Sequence, residues 1–416
     1  MFDRYFSKLI LLTSLLGLLT ALPVAGFGQD SPFPQATNLQ HGPPLTNQEY
    51  VSMLYQLPRH PEQRDRIVDE IRKRGIAFPV TPGLLSLTAT KSGNDPTLRR
   101  TLEEANRRRE NPAAASLPPA KEGLDLLERT RTATLGAAKQ MPDYLVKQQI
   151  TRSRALGTTS NWNVYDRLSI AVSYRQTIGE QYKLLSVNGM PPNVDEQEGS
   201  TYGDKLGGTT SSGEYVSMLS ELFEPATRAD FEMVDTDTLR AHHTVVYEYE
   251  VKREFSKQTL KFQASVDSAP LETIVGYRGR IWVDASDNRV LRLETISVEI
   301  PAGFPITAAK SVIDYDWVSI NEVSHLLPSR AVIELTSHLG VQTEQTRNDI
   351  LFRGYRKFGT EVKITDIDEK DFPPDKPEET DPNKQPAALP DANKEPVGPI
   401  DPNKPPPPPI LKPKKP

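Results

Sequence analysis

Residues 279–284, Gly-Arg-Ile-Trp-Val-Asp, and residues 288–294, Asn-Arg-Val-Leu-Arg-Leu-Glu, carry the reading of the fold. Ile281 and Val283 alternate with Arg280 and Asp284, and Leu291 and Leu293 alternate with Arg292 and Glu294. A period of two places successive side chains on opposite faces of a strand. Ser286-Asp287-Asn288 between the runs is turn chemistry, so the stretch reads as an antiparallel hairpin. Arg278, Arg280, Asp284, Arg292 and Glu294 then share the outer face as cross-strand ion pairs, worth about 0.2–1 kcal/mol each.

The same period runs outward from Asp143 to Phe358. Strands are predicted to begin near Tyr144, Arg167, Tyr182, Val245, Leu260, Ile274, Arg289, Ser311, Ser329 and Thr346. Tyr247, Tyr249, Ile281, Val283, Leu291, Leu293, Val312, Val332 and Leu335 are the candidate inner face. Within this run residues 199–213 are Gly/Ser/Thr-rich. The next stretch presents Tyr215, Met218, Leu219, Leu222 and Phe223 at helical spacing and ends at Pro225, so a helix is expected to lie on the sheet as a lid or a plug. Phe231 and Met233 are further candidates to line the interior.

Upstream of the sheet the period is 3.6. Thr46 with Glu49 forms a capping box, Ile67, Val68 and Ile71 form a stripe that stops at Gly75, and Thr81-Pro82 and Asp95-Pro96 open two further helices. The Arg107-Arg108-Arg109 run reads as a helix end facing water. The expected organisation is a signal peptide over 1–28, a linker over 29–44, a small helical module over 45–109 and a linker over 110–121. A curved sheet domain over 122–368 and a disordered tail over 369–416 complete it. In the tail, Asp381-Pro-Asn-Lys384, Asp391-Ala-Asn-Lys394 and Asp401-Pro-Asn-Lys404 recur every ten residues among prolines, a composition that buries too little apolar surface to fold. Arg4 and Lys8 precede an apolar run from Leu9 to Leu22, and Gly26-Phe27-Gly28 offers small residues for cleavage before Gln29.

Composition narrows the chemistry. The chain has 37% hydrophobic and 25% charged residues, 37 prolines and a net charge of −5. Nothing in that balance recruits nucleic acid. The absence of cysteine removes disulfides, thiolate nucleophiles, zinc ribbons, Fe–S clusters and a lipobox together. Gly208 to Gly213 has P-loop spacing, but Glu214 and Tyr215 stand where lysine and serine or threonine belong, and the carboxylate repels phosphate. His242-His243 near Asp235 and Asp237 is a weak metal candidate. Asp314 and Asp316 form a weak acid–base candidate. No cofactor, no metal site and no catalytic residue is assigned.

The hairpin resembles a recurrent piece of the LolA/LolB-like lipoprotein-carrier superfamily, and Val312-Ile-Asp-Tyr-Asp316 and Leu326-Leu-Pro-Ser-Arg330 look like its later strands. The likeness covers roughly residues 143–360. It implies an α+β fold whose strongly curved antiparallel sheet is an incomplete barrel with helices on the concave face, in a hollow that holds acyl chains. Carriers of this type are smaller and lack both the helical module and the proline tail. The expectation is therefore a non-enzymatic exported protein, periplasmic or secreted, binding a lipid, a lipoprotein acyl chain or another apolar ligand. The alternative is an envelope structural or interaction protein with a filled core, its tail engaging a cell-wall partner. Candidate ligand contacts are Tyr215, Met218, Leu219, Leu222, Phe223, Tyr247, Tyr249, Ile281 and Val283.

N-terminal sequencing of the protein from its own envelope is expected to begin at Gln29; a membrane-bound form beginning at Met1 or Phe2 would show an uncleaved anchor instead.

Overall fold

The computed structural model describes residues 42–112, 115–192, 216–263, 269–340, 342–359 and 363–373. Those from Pro43 onward belong to one compact unit. Five helices come first: α1 (Asn47–Gln56), α2 (Arg64–Arg74), α3 (Pro82–Ser92), α4 (Pro96–Glu110) and α5 (Ala120–Lys139). Their ends follow local chemistry. The Thr46 hydroxyl accepts from the Glu49 amide at 3.2 Å, and the Glu49 carboxylate accepts from the Thr46 amide at 2.8 Å. Hydrogen bonds from Thr46, with Arg74 beside it, hold Glu49 down at about 2. The Asp95 carboxylate accepts from Leu98 N at 2.7 Å and caps α4. Gly75 ends α2 at φ +68°, a left-handed value that favours glycine.

Twelve strands follow. They are β1 (Tyr144–Leu156), β2 (Asn163–Arg175), β3 (Gly179–Val187), β4 (Asp230–Leu239), β5 (His242–Val251), β6 (Thr259–Phe262), β7 (Leu271–Ile274), β8 (Gly276–Asp284), β9 (Arg289–Val298), β10 (Ile306–Ile320), β11 (Val323–Leu339) and β12 (Gln342–Lys357). Among the described residues one further helix, α6 (Val216–Phe223), precedes β4. Ten strands make one antiparallel sheet in the order β3-β2-β1-β12-β11-β10-β9-β8-β5-β4; β6 and β7 pair by themselves. The fold is α+β, and the sheet stays open, with β3 and β4 at its edges. β4 was absent from the expected strands. Pro328 stands inside β11, at a register shift opposite Asp314 and Tyr315, where its missing N–H disturbs the ladder least.

Two β-bulges decide which residues face which way. In β9, Val283 pairs with Val290 and Trp282 with Arg292, so Leu291 is the extra residue. Val290 and Leu293 join the core on the helix-covered inner face, while Leu291 joins Trp282, Leu239 and Val246 in a cluster on the outer face. In β4, Met233 pairs with Tyr247 and Asp235 with Val246, leaving Val234 extra. Strict alternation from Met233 would turn Asp235 inward; the bulge turns it outward. The expected inner face is corrected accordingly. Leu291 lies outside, and Val312 and Val332 point away from the core because their neighbours Ile313 and Ile333 point into it. Leu335 packs instead with Leu260, Val275 and Ile306 near the small hairpin.

The helical module has its own core. Leu45, Tyr50, Leu54, Ile71, Leu98 and Leu102 are sealed within it, apart from the cluster between sheet and inner helices. After β12 the chain crosses the sheet face opposite that cluster, where Phe358, Ile367 and Phe372 bury against Leu145, Ala171 and Leu185. Burial thus continues past residue 368, the expected end of the domain.

Glycine matters most at Gly279. It pairs with Tyr249 on one side and Thr295 on the other. The Tyr249 ring crosses it, and its hydroxyl donates to the Glu294 carbonyl at 2.8 Å. A Cβ there would meet that carbonyl oxygen at 1.8 Å. Gly279→Ala is therefore expected to cost about 3 kcal/mol or more, read by urea unfolding.

Candidate functional site

The inner face gathers most of the expected apolar contacts. Leu219, Leu222 and Phe223 of α6 bury against the sheet beside Tyr247, Tyr249, Ile281 and Val283, and Met218 packs at the edge of the same cluster. Tyr215 lies outside the described residues. The Phe223 ring stacks on Phe231 at 5.5 Å, and Phe231, Tyr249 and Tyr277 continue the aromatic row at 6.1 Å steps across β4, β5 and β8. Such offset and edge contacts add about 0.5–1.5 kcal/mol each beyond area burial. Helix α5 lies tight on the same face. The Tyr247 hydroxyl donates to the Gly123 carbonyl at 2.7 Å, and a Cβ on Gly123 would stand 2.5 Å from Met233 Sδ. Desolvation pushes the Tyr247 phenol up to about 12. What the face offers is apolar and aromatic surface under two helices.

The outer face carries charge, and most of that went unread in the sequence. Arg107 forks onto Asp237 through Nε at 2.9 Å and Nη2 at 3.0 Å, and Arg108 pairs with Asp235. The arginine run expected to face water is therefore a docking element. Arg72 and Arg100 share Glu294, at 2.8 and 2.7 Å. Arg292 donates from Nε to Asp314 at 2.7 Å and lies 3.7 Å from Glu104. Arg292 and Glu294 were expected as exposed pairs of small worth. They are instead buried, the Arg292 side chain 2% exposed and Glu294 9%. Burial alone would raise Glu294; Arg72 and Arg100 overcome it and hold the carboxyl at about 2. Its contribution to stability is thus present above its ordinary 4.5 and is lost as the pH falls toward 2. Glu104 moves the other way, raised by burial and by Asp237.

The weaker chemical candidates dissolve. Asp314 is committed to Arg292, while the exposed Asp316 accepts from the Trp317 amide. His242 Nδ1 lies 2.6 Å from Asp284, and His243 is exposed. Asp284 is lowered because, against its burial, Ser286 and the Asp287 amide hydrogen-bond to it, so it organises the hairpin turn. Among the described residues no group of three or more His, Asp or Glu side chains is placed to hold a metal ion.

No family model and no curated protein matches the chain. Among solved structures, a DUF1329 family protein from Desulfovibrio piger shows a loose likeness at the level of the fold. It covers 62% of this chain and 100% of that one, at 9% identity and a TM-score of 0.26. The MucA/MucB complex of Pseudomonas aeruginosa covers 54% of this chain and 94% of its own, at 9% identity and a TM-score of 0.15.

Arg292→Ala strips Asp314 and Glu104 of the cation between them inside a dry seam. The expected cost is about 3–5 kcal/mol in denaturant unfolding, well above that of an exposed pair.

Proposed function

We propose that this chain is an exported, non-enzymatic binding protein of the bacterial envelope that takes an acyl chain or another apolar ligand on the helix-covered face of its sheet. The observation that carries this reading is α6 on its aromatic row. An eight-residue helix presenting Leu219, Leu222 and Phe223 covers Phe231, Tyr249 and Tyr277. A short apolar cover over aromatic surface exposes a ligand face when it lifts and seals it when it returns. Methionines at 218 and 233 suit a lining that adapts to its occupant.

A second reading is an envelope structural or interaction protein whose interior is filled. The contact of Gly123 with Met233 and Tyr247 favours it, because backbone that close to the sheet leaves no room between. In both readings the proline-rich sequence beyond residue 373, which lies outside the described residues, is the proposed contact with an envelope or cell-wall partner.

Native mass spectrometry of protein purified from its own envelope is expected to show the chain with one bound lipid, and a fluorescent fatty acid is expected to displace it. A bare chain that takes up no probe would sink the binding reading. Leu222→Ala separates the two. A filled core loses about 2–5 kcal/mol of stability with no change in probe binding. A lid loses much less, and its probe binding changes.

A further inference from the structure

We propose that the helical module is a latch closed by proton uptake: it grips the outer face of the sheet at mildly acidic pH and loosens as the pH rises past neutrality. The module keeps its apolar core to itself and meets the sheet largely through charge. At two places along that seam a carboxylate has one buried oxygen without a hydrogen bond. Glu334 of β11 has one buried carboxylate oxygen with no hydrogen bond, and its one close cation is Arg347 at 3.6 Å. Arg347 is already spent on Asp349, through Nε at 2.7 Å and Nη2 at 2.8 Å. The other groups facing Glu334 are Asp95 and Arg64 from the module and Lys310 from β10. Lys310 is drawn to Asp65 of α2 at 2.5 Å, Arg64 lies 3.9 Å from Asp95, and Asp95 is fixed beside Glu334 by its role as the cap of α4. Docking therefore brings a second carboxylate near Glu334, which raises the cost of ionising it.

Glu104 repeats the pattern at the other end. One buried oxygen lacks a hydrogen bond and its contact with Arg292 is a loose 3.7 Å, while Asp237 and Glu294 crowd it and Arg72 offsets them. Asp235 is raised as well, by burial that Arg108 does not fully offset.

The direction follows. Burial and Asp95 push Glu334 up to about 7, against 4.5 in water. Releasing the module returns it toward its ordinary value, so the docked state holds the extra proton. The favourable contribution is complete below about pH 4.5 and is lost as the pH rises through 7. Between pH 5.5 and 8.5 that one group weakens docking by about thirtyfold. Glu104 and Asp235 act with the same sign. Glu294 and Asp314 are held low by their arginines, stay ionised across this range and add no slope.

Trp282 is a built-in reporter. It is 1% exposed, and its indole N–H donates at 3.3 Å to Asp237, the carboxylate that Arg107 of the module grips. Indole N–H exchange in the full chain, followed by NMR and corrected for the intrinsic rate, should show the seam-opening constant rising by about thirtyfold or more from pH 5.5 to 8.5. Backbone amides of β1 and β9 should keep their protection. Glu334→Gln should show a much smaller rise, the part left to Glu104 and Asp235, and Asp95→Asn, which preserves the cap, should show a shallower rise than the unmodified chain. An opening constant equal at the two pH values would overturn the proposal. So would an equal rise in Glu334→Gln, or loss of strand protection in step with Trp282.

Discussion

A guanidinium buried behind a β-sheet sets the terms for this molecule. Arg292 is 2% exposed, and burial on that scale is tolerable only because Asp314 and Glu104 meet it from β10 and α4. Glu294, two residues on, is also buried and is met by Arg72 and Arg100. These four partners come from three separate elements, so the outer face, α2 and α4 have to be in place together. Truncating any one leaves a buried charge with half of its counter-charges.

That constraint divides the two faces of the sheet by chemistry. The inner face is held by apolar and aromatic packing under α5 and α6, where contact area sets the energy and direction matters little. The outer face is held by forked and bidentate charge pairs, which are directional and sensitive to protonation. The first kind of contact lets a cover slide or lift with modest loss of specificity. The second either engages or fails. On the two proposals made above, a ligand is sensed by the inner helices and pH by the module.

The bulges connect the two. Leu291 and Val234 each add one residue to a ladder, and each swings the following charged residues onto the module side. Arg292, Asp235 and Asp237 reach the seam for that reason. Their position is a property of the strand pairing more than of the local pattern.

Much of the architecture was legible in the chain because it is encoded locally. The capping box at Thr46 and Glu49, Gly75 after α2, Asp95-Pro96 before α4, the Ser286–Asn288 turn and the alternation of β5 all depend on neighbours within a few residues. The apolar identity of Leu219, Leu222 and Phe223 likewise marked them as buried before any partner was known. Tertiary structure decided the rest. Alternation says that a strand has two faces; it does not count an inserted residue, so Leu291 was placed inside. The pattern also cannot say which distant helix covers a face. Arg107, Arg108 and Arg292 look like ordinary surface charges until Asp237, Asp235 and Asp314 arrive from strands far along the chain. Burial of a charge is a fact about long-range neighbours and excluded water, and only the assembled sheet and module supply both.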